Sequence, residues 1–251
     1  MRRSLPLAIL LAASPAAGHA TDDPSRDVLW VALKTCVLAK KLAGWTFPCL
    51  DVVLGDRDRP STAVLRAPGE PTHVVVMPTD TVAGLEALTL RVGRGTAYWR
   101  AALTARRFVL DPLKGSAPVA KVGLAVNSAR GRSQDQLHIH LDFMKPRVLA
   151  ALRAHGHGVR ATWAPFPVPL AGDRYFAMRV PAGEAERFNL FAALARLPGR
   201  RDLRETSFGA VATPVGDPEP GFYVLAYRAP RASAEDLMDH TCAVSGTSAI
   251  R

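Results

Sequence analysis

Residues 136–143, Gln136-Leu137-His138-Ile139-His140-Leu141-Asp142-Phe143, alternate strictly between polar and apolar side chains. Successive side chains of a strand point to opposite faces, so this period fits a strand and not a helix. Leu137, Ile139, Leu141 and Phe143 then enter a core, while Gln136, His138, His140 and Asp142 line the opposite wall. Any fold for this chain must provide an apolar layer on one side of that strand. It must also find a use for two imidazoles on the other.

The surrounding pattern predicts helices over 28–42, 98–110, 146–154 and 184–196, from apolar residues at helical spacing. Apolar, β-branched runs predict strands over 63–65, 72–77, 119–126, 137–143, 174–180, 208–213 and 222–227, with a turn at 216–221. Residues 55–71 read as irregular chain, and 156–172, with three prolines, as loop or sheet edge. Twenty Pro and nineteen Gly in 251 residues argue against an all-helical bundle. Strands outnumber helices without regular alternation, so the fold class is α+β with a mostly antiparallel sheet and flanking helices.

The first twenty residues read as a secretion signal. Arg2 and Arg3 precede an apolar run over 5–13, and Gly18-His19-Ala20 offers a cut before Thr21. A membrane span needs about 20 apolar residues, more than this run supplies; left uncleaved, it would serve as a short anchor. Residues 21–251 then form a single domain of a size that buries a real core. Export implies an oxidising compartment, in which Cys36, Cys49 and Cys242 allow one internal disulfide of undetermined pairing. The formal charge of +10 suits polyanions: nucleic acid, an anionic membrane surface or phosphorylated substrates. Aromatics at 7% argue against a stacking surface for single-stranded nucleic acid.

Three readings of the 136–143 wall compete. It can be a half-exposed strand with incidental histidines, a metal site, or an imidazole nucleophile acting on phosphorus. For zinc, no third ligand stands at an expected spacing; His155 and His157 lie in a Gly-rich loop. The turn over 127–134 favours the nucleophile. It supplies a Gly for close approach, hydroxyls and two guanidiniums, a set able to grip phosphate oxygens beside His138.

Gln136-Leu137-His138-Ile139-His140-Leu141 resembles the histidine triad pattern, with Gln in place of the first His. The wider context resembles the CDP-diacylglycerol pyrophosphatase family. The strings are Leu124-Ala125-Val126-Asn127-Ser128, Gly131-Arg132-Ser133-Gln134, Met77-Pro78-Thr79, Trp163 with Pro165 and Pro167, Ala232-Ser233-Ala234-Glu235-Asp236, Asp239-His240 and Cys242. That resemblance implies a histidine-triad-like hydrolase cleaving CDP-diacylglycerol to CMP and phosphatidate, without metal or other cofactor. It implies His138 as nucleophile, carrying CMP as an intermediate, and His140 as a hydrogen bonder to phosphate oxygen. Asn127, Gly131, Ser133 and Gln136 would bind phosphate or nucleotide.

Gln136 cannot pass a proton as imidazole does. A departing phosphate monoester, with a second pKa of about 6, leaves without much protonation, so the change is tolerable for a pyrophosphate and harmful for an amine leaving group. The expected partners are the lipid nucleotide and an anionic membrane surface, with no nucleic acid. The expected location is the periplasm or the periplasmic face of the inner membrane. The alternatives are an enzyme of soluble nucleotide diphosphate esters, or a non-catalytic periplasmic binder of nucleotide or lipid. Asp142, Thr79, Asp80, Glu86, Arg106-Arg107 and Arg200-Arg201 read as solvated residues, the arginines as possible headgroup contacts. Trp163 and His240 read as packing.

Overall fold

The computed structural model describes residues 28–241 except 57–58, 115 and 200–201. The export segment, Arg200-Arg201 and Cys242 lie outside the described residues.

The strands are β1 (Asp51–Val53), β2 (Thr62–Arg66), β3 (Val74–Pro78), β4 (Val122–Val126), β5 (Ile139–Phe143), β6 (Ala164–Pro165), β7 (Phe176–Pro181), β8 (Thr206–Ala212) and β9 (Gly221–Arg228). They form one sheet in the order β1-β2-β3-β5-β4-β8-β9-β7-β6, antiparallel at every pairing. The α-helices are α1 (Val28–Ala43), α2 (Gly93–Ala105), α3 (Arg107–Leu110), α4 (Pro146–His155) and α5 (Leu190–Leu194). The α+β, antiparallel reading therefore stands. Among the described residues no helix is long and apolar enough to cross a membrane.

Several boundaries differ from the sequence reading. β4 begins at Val122 because Val119–Lys121 close a 3-10 turn. β5 begins at Ile139 because the Leu137 N–H donates to the Val82 carbonyl instead of a ladder partner. The helix expected over 184–196 is broken into a 3-10 segment, Ala182–Arg187, and α5. Asn189 caps α5, its side chain accepting from the Ala192 N–H; Asn favours such caps over helix interiors. β1 has only three residues, too few to leave a period in the sequence.

The sheet has a different layer on each face. On one, Ile139, Leu141 and Phe143 join Val74, Val76, Leu124 and Val126 in the main core, covered by α2 through Tyr98, Trp99 and Ala102. The other face carries two separate apolar clusters. Under α1, Leu33 and Cys36 pack on Cys49, Val52, Ala63, Leu65, Val75 and Met77. Under α4, Val148 and Leu152 pack with Ala125, Met144, Tyr223 and Leu225. In the sheet His140 pairs with Val75 on one side and Ala125 on the other. The boundary between the two clusters thus runs along the polar wall of β5.

A Cys36–Cys49 disulfide fixes α1 to the chain entering β1, which decides the pairing left open above. Arg106 is not a solvated charge: its guanidinium lies 5.1 Å from the Phe222 ring centroid and its Nε donates to the Leu103 carbonyl. Trp163 packs against the main core and donates from Nε1 to the Ala193 carbonyl.

Trp99 is the largest fully buried side chain, its Nε1 donating to the Ala185 carbonyl at 2.7 Å, its ring edge-on to Phe188 and Phe222. Trp99→Ala is expected to lower unfolding free energy by about 3–5 kcal/mol, measured by urea denaturation with the disulfide intact.

Candidate active site

The polar wall of β5 is not half-exposed. His138, His140 and Asp142 are 4%, 7% and 0% exposed. Polar groups removed from water need partners, and the C-terminal segment provides them. It crosses the second face of the sheet, held by Ser128 N–H to Ala232 O, Lys145 N–H to Leu237 O and Asp239 N–H to Phe143 O. This strap brings Glu235 and His240 onto the wall. His73, one residue before β3, arrives from the other side.

His138 lies at the near end. Its Nδ1 is 2.7 Å from the Gln136 carbonyl oxygen. A carbonyl only accepts, so Nδ1 carries the proton and donates, and in the neutral ring Nε2 holds the lone pair. Burial pushes the His138 pKa down and outweighs the opposing hydrogen bond to Gln136. His140 is next along the wall, its ring centroid 4.8 Å from that of His138. Burial drives its pKa well below the ordinary value. Its Nδ1 meets His73 Nε2 at 2.9 Å and Glu235 Oε1 at 3.2 Å, whereas its Nε2 is buried with no hydrogen-bond partner.

Beyond His140 lies a set of residues that sequence reasoning missed. His73 Nδ1 bonds Glu70. His240 Nδ1 bonds Asp142 Oδ2 at 2.8 Å, and its Nε2 stands 3.4 Å from Glu235 Oε1. Burial alone would lower the His240 pKa, but the hydrogen bonds to Asp142 and Glu235 raise it to about 10. Burial alone would raise Glu235, but the His240 hydrogen bond, His140 and Asn127 hold it well below the usual carboxylate range. Asp142, expected to be solvated, bonds the Phe143 N–H and His240. His240 is part of this cluster and not helix-end packing. One signal for His73 was legible: the expected strand over 72–77 gives it the parity of Val75 and Met77. The pairing that sets it beside His140 was not.

The turn over 127–134 is wired differently from a bare phosphate loop. Asn127 donates from Nδ2 to Glu235 Oε2 at 2.8 Å and accepts from the Glu235 N–H, so its side chain positions the strap. The Gly131 N–H is turned to Ser128, and a Cβ there would meet the Ala232 carbonyl oxygen at 2.5 Å; close passage of the strap requires this glycine. Arg132 is 8% exposed and engaged by Glu86 and Asp135, so Glu86 is not merely solvated. Asp80 pairs with Arg94. Arg130 and Ser133 present exposed side chains. His155 and His157 stay outside the cluster, at the end of α4 and in the 3-10 turn after it.

Gln136 is a latch. Its Nε2 donates to the carbonyls of Pro78 and Asp80, each at 2.7 Å, and its Oε1 accepts from the Val82 N–H. The side chain is thereby engaged by the loop leaving β3. Through its carbonyl the same residue sets the tautomer of His138.

A family profile described as CDP-diacylglycerol pyrophosphatase matches residues 24–246. The chain is 34% identical to the CDP-diacylglycerol pyrophosphatase of Yersinia pestis over 228 residues, covering 87% of this chain and 84% of that protein. It is 28% identical over 225 residues to the proteins of the same name from Mycobacterium bovis BCG Pasteur and Mycobacterium tuberculosis H37Ra, covering 89% and 85%. The matched span includes every residue of the cluster.

Removing the latch isolates its contribution. Gln136→Ala leaves two carbonyls and one N–H at a buried site without their partner, and is expected to destabilise the protein by about 1–3 kcal/mol in urea denaturation. CMP release should fall with it, because the Gln136 carbonyl that orients His138 loses its anchor.

Proposed function

The chain belongs to the CDP-diacylglycerol pyrophosphatase family, and we propose that it is a hydrolase splitting the pyrophosphate of CDP-diacylglycerol into CMP and phosphatidate. The observation that carries the mechanism is the hydrogen bond from His138 Nδ1 to the Gln136 carbonyl. It fixes the one tautomer whose Nε2 can attack phosphorus.

In this reading the β5 wall acts as a histidine-triad-like strand. His138 Nε2 attacks the phosphorus that bears cytidine, the bridging P–O bond breaks, and phosphatidate leaves as a phosphate monoester. Water then attacks the histidine-bound CMP, releasing CMP and restoring the imidazole. Phosphatidate departs without an acid, consistent with the engagement of Gln136 elsewhere. His140 Nε2, Ser133 and the exposed Arg130 meet the phosphate oxygens, where charge grows in the transition state. Asn127 and Gly131 act one step back, by holding the strap.

A lipid substrate calls for a surface that meets a bilayer, and α1 provides a reason to place it. Leu33 and Cys36 face the sheet, while Val31, Leu38 and Leu42 form an outward apolar stripe that continues into Trp45 and Phe47, 73% and 82% exposed. Lys34 and Lys41 flank it, a basic pair of the kind that adds about 1 kcal/mol per residue near an anionic leaflet. The start of α1 touches the loop leading to His138, through Leu29 N–H to Gln134 Oε1. An exported enzyme seated on the membrane by this stripe would receive the headgroup next to its nucleophile.

Two experiments test this. CDP-diacylglycerol labelled at the cytidine-bearing phosphorus, quenched early with wild type, should leave label on protein in an acid-labile, alkali-stable linkage. His138→Ala should show neither label nor CMP release. Label persisting in His138→Ala would sink the nucleophile assignment, and absence of turnover by folded wild type would favour a binding protein. Separately, the double substitution Leu42→Glu and Trp45→Glu should cut turnover of substrate in anionic vesicles by about tenfold or more, with turnover of a short-chain monomeric substrate unchanged. Equal loss on both substrates would remove the membrane role of the stripe.

A further inference from the structure

We propose that His73, His140, Glu235 and His240 form a closed tetrahedral site for one zinc ion or a zinc-like divalent transition metal. Glu235 Oε1 faces three imidazole nitrogens, His73 Nε2, His140 Nδ1 and His240 Nε2, and the donors of His73, His140 and Glu235 all lie within 4.8 Å of one another. His73 Nε2 is 2.9 Å from His140 Nδ1 and 3.8 Å from Glu235 Oε1. Glu235 Oε1 is 3.2 Å from His140 Nδ1 and 3.4 Å from His240 Nε2. Ligands held about 2.0–2.1 Å from a tetrahedral zinc stand about 3.4 Å from one another, and the separations scatter around that value. His73 and His240 complete the enclosure with ring centroids 4.4 Å apart.

The atoms behind these donors support the assignment independently. A metal-bound imidazole usually donates its remaining N–H to a carboxylate or carbonyl, which fixes the ring and strengthens the ligand. His73 Nδ1 bonds Glu70, and His240 Nδ1 bonds Asp142. The second oxygen of Glu235 accepts from Asn127. Three of the four ligands thus have an outer partner suited to the role. With Nδ1 of His73 facing Glu70 and Nδ1 of His240 facing Asp142, the other ring nitrogen of each, Nε2, turns toward Glu235 Oε1.

The fourth ligand, His140, has a bare Nε2, and this has a chemical consequence. When Nδ1 coordinates metal, the neutral ring carries its proton on Nε2. The buried atom without a partner then becomes an N–H donor on the His138 side of the wall, as a phosphate oxygen requires. Four protein ligands leave no open position, so the ion is structural: it clamps the strap and orients His140, and the attack remains with His138. The sequence hides this site because its ligands come from positions 73, 140, 235 and 240, without a short spacing.

The test uses full-length protein without a histidine tag, stripped with chelator, reloaded with zinc, dialysed and analysed for metal. About one zinc per chain is expected in wild type, and also in His138→Ala and His157→Ala, with about a tenfold loss in His73→Ala and His240→Ala. Loading with cobalt(II) should give the intense visible absorption of tetrahedral coordination. Should the ligand variants fail to fold, wild-type stoichiometry and the cobalt spectrum decide. Zinc below about a tenth of an equivalent in stripped and reloaded wild type, an octahedral cobalt spectrum, or full zinc retention in folded His73→Ala would each overturn the site. The labelled-phosphorus experiment above stands or falls separately, since it reads the His138 adduct and not the metal.

Discussion

Burial of the polar wall of β5 is the constraint on which the remaining architecture depends. The strand lies between β3 and β4 with its apolar residues in the main core, so its other face can stay polar only if each imidazole and carboxylate finds a partner. Unpaired polar groups at such a position cost about 1–3 kcal/mol each. The fold answers by carrying its C-terminal segment back across the sheet. Asn127, Gly131 and Ser128 exist in their present environments to hold that segment, and the two apolar clusters under α1 and α4 flank it. The site is thus a polar seam between two small cores, and its stiffness comes from both.

The same arrangement divides the labour among four histidines. His138 is set by a backbone carbonyl, which gives it a defined tautomer and leaves Nε2 for chemistry. His73 and His240 are set by carboxylates, which suits them to hold something between them. His140 lies between them: its Nδ1 faces His73 and Glu235, and its ring centroid is 4.8 Å from that of His138. A perturbation of the cluster therefore has a short route to His138 through a single ring.

How much of this was legible in the sequence follows from the range of each interaction. The period of 136–143 identified the strand, its faces and His138, because strand parity is local. The antiparallel sheet followed from apolar runs, and most strands lie within a few residues of their expected ends. Glu235 and His240 were present in the strings resembling the family, yet nothing local marked them as neighbours of His140, from which they are separated by about two fifths of the chain. Asp142 read as solvated because strand ends usually are, whereas this one is covered by the returning strap. Gln136 was read as a tolerated replacement for the first triad His and as a phosphate or nucleotide binder; the loop contacts that make it a latch come from Pro78, Asp80 and Val82, across a connection no pattern reports.

The strap also sets an order of events during synthesis. The sheet, the cluster under α1 and His138 lie before residue 229, whereas Ala232, Ala234, Leu237 and Met238 of the cluster under α4 follow it, together with Glu235 and His240. A chain interrupted before residue 232 therefore has the sheet, His138 and the outward apolar stripe while the cluster beside His138 is still missing two of its members. The polar seam is thus closed by a segment made after every strand of the sheet, and it stays open on one side until that segment docks.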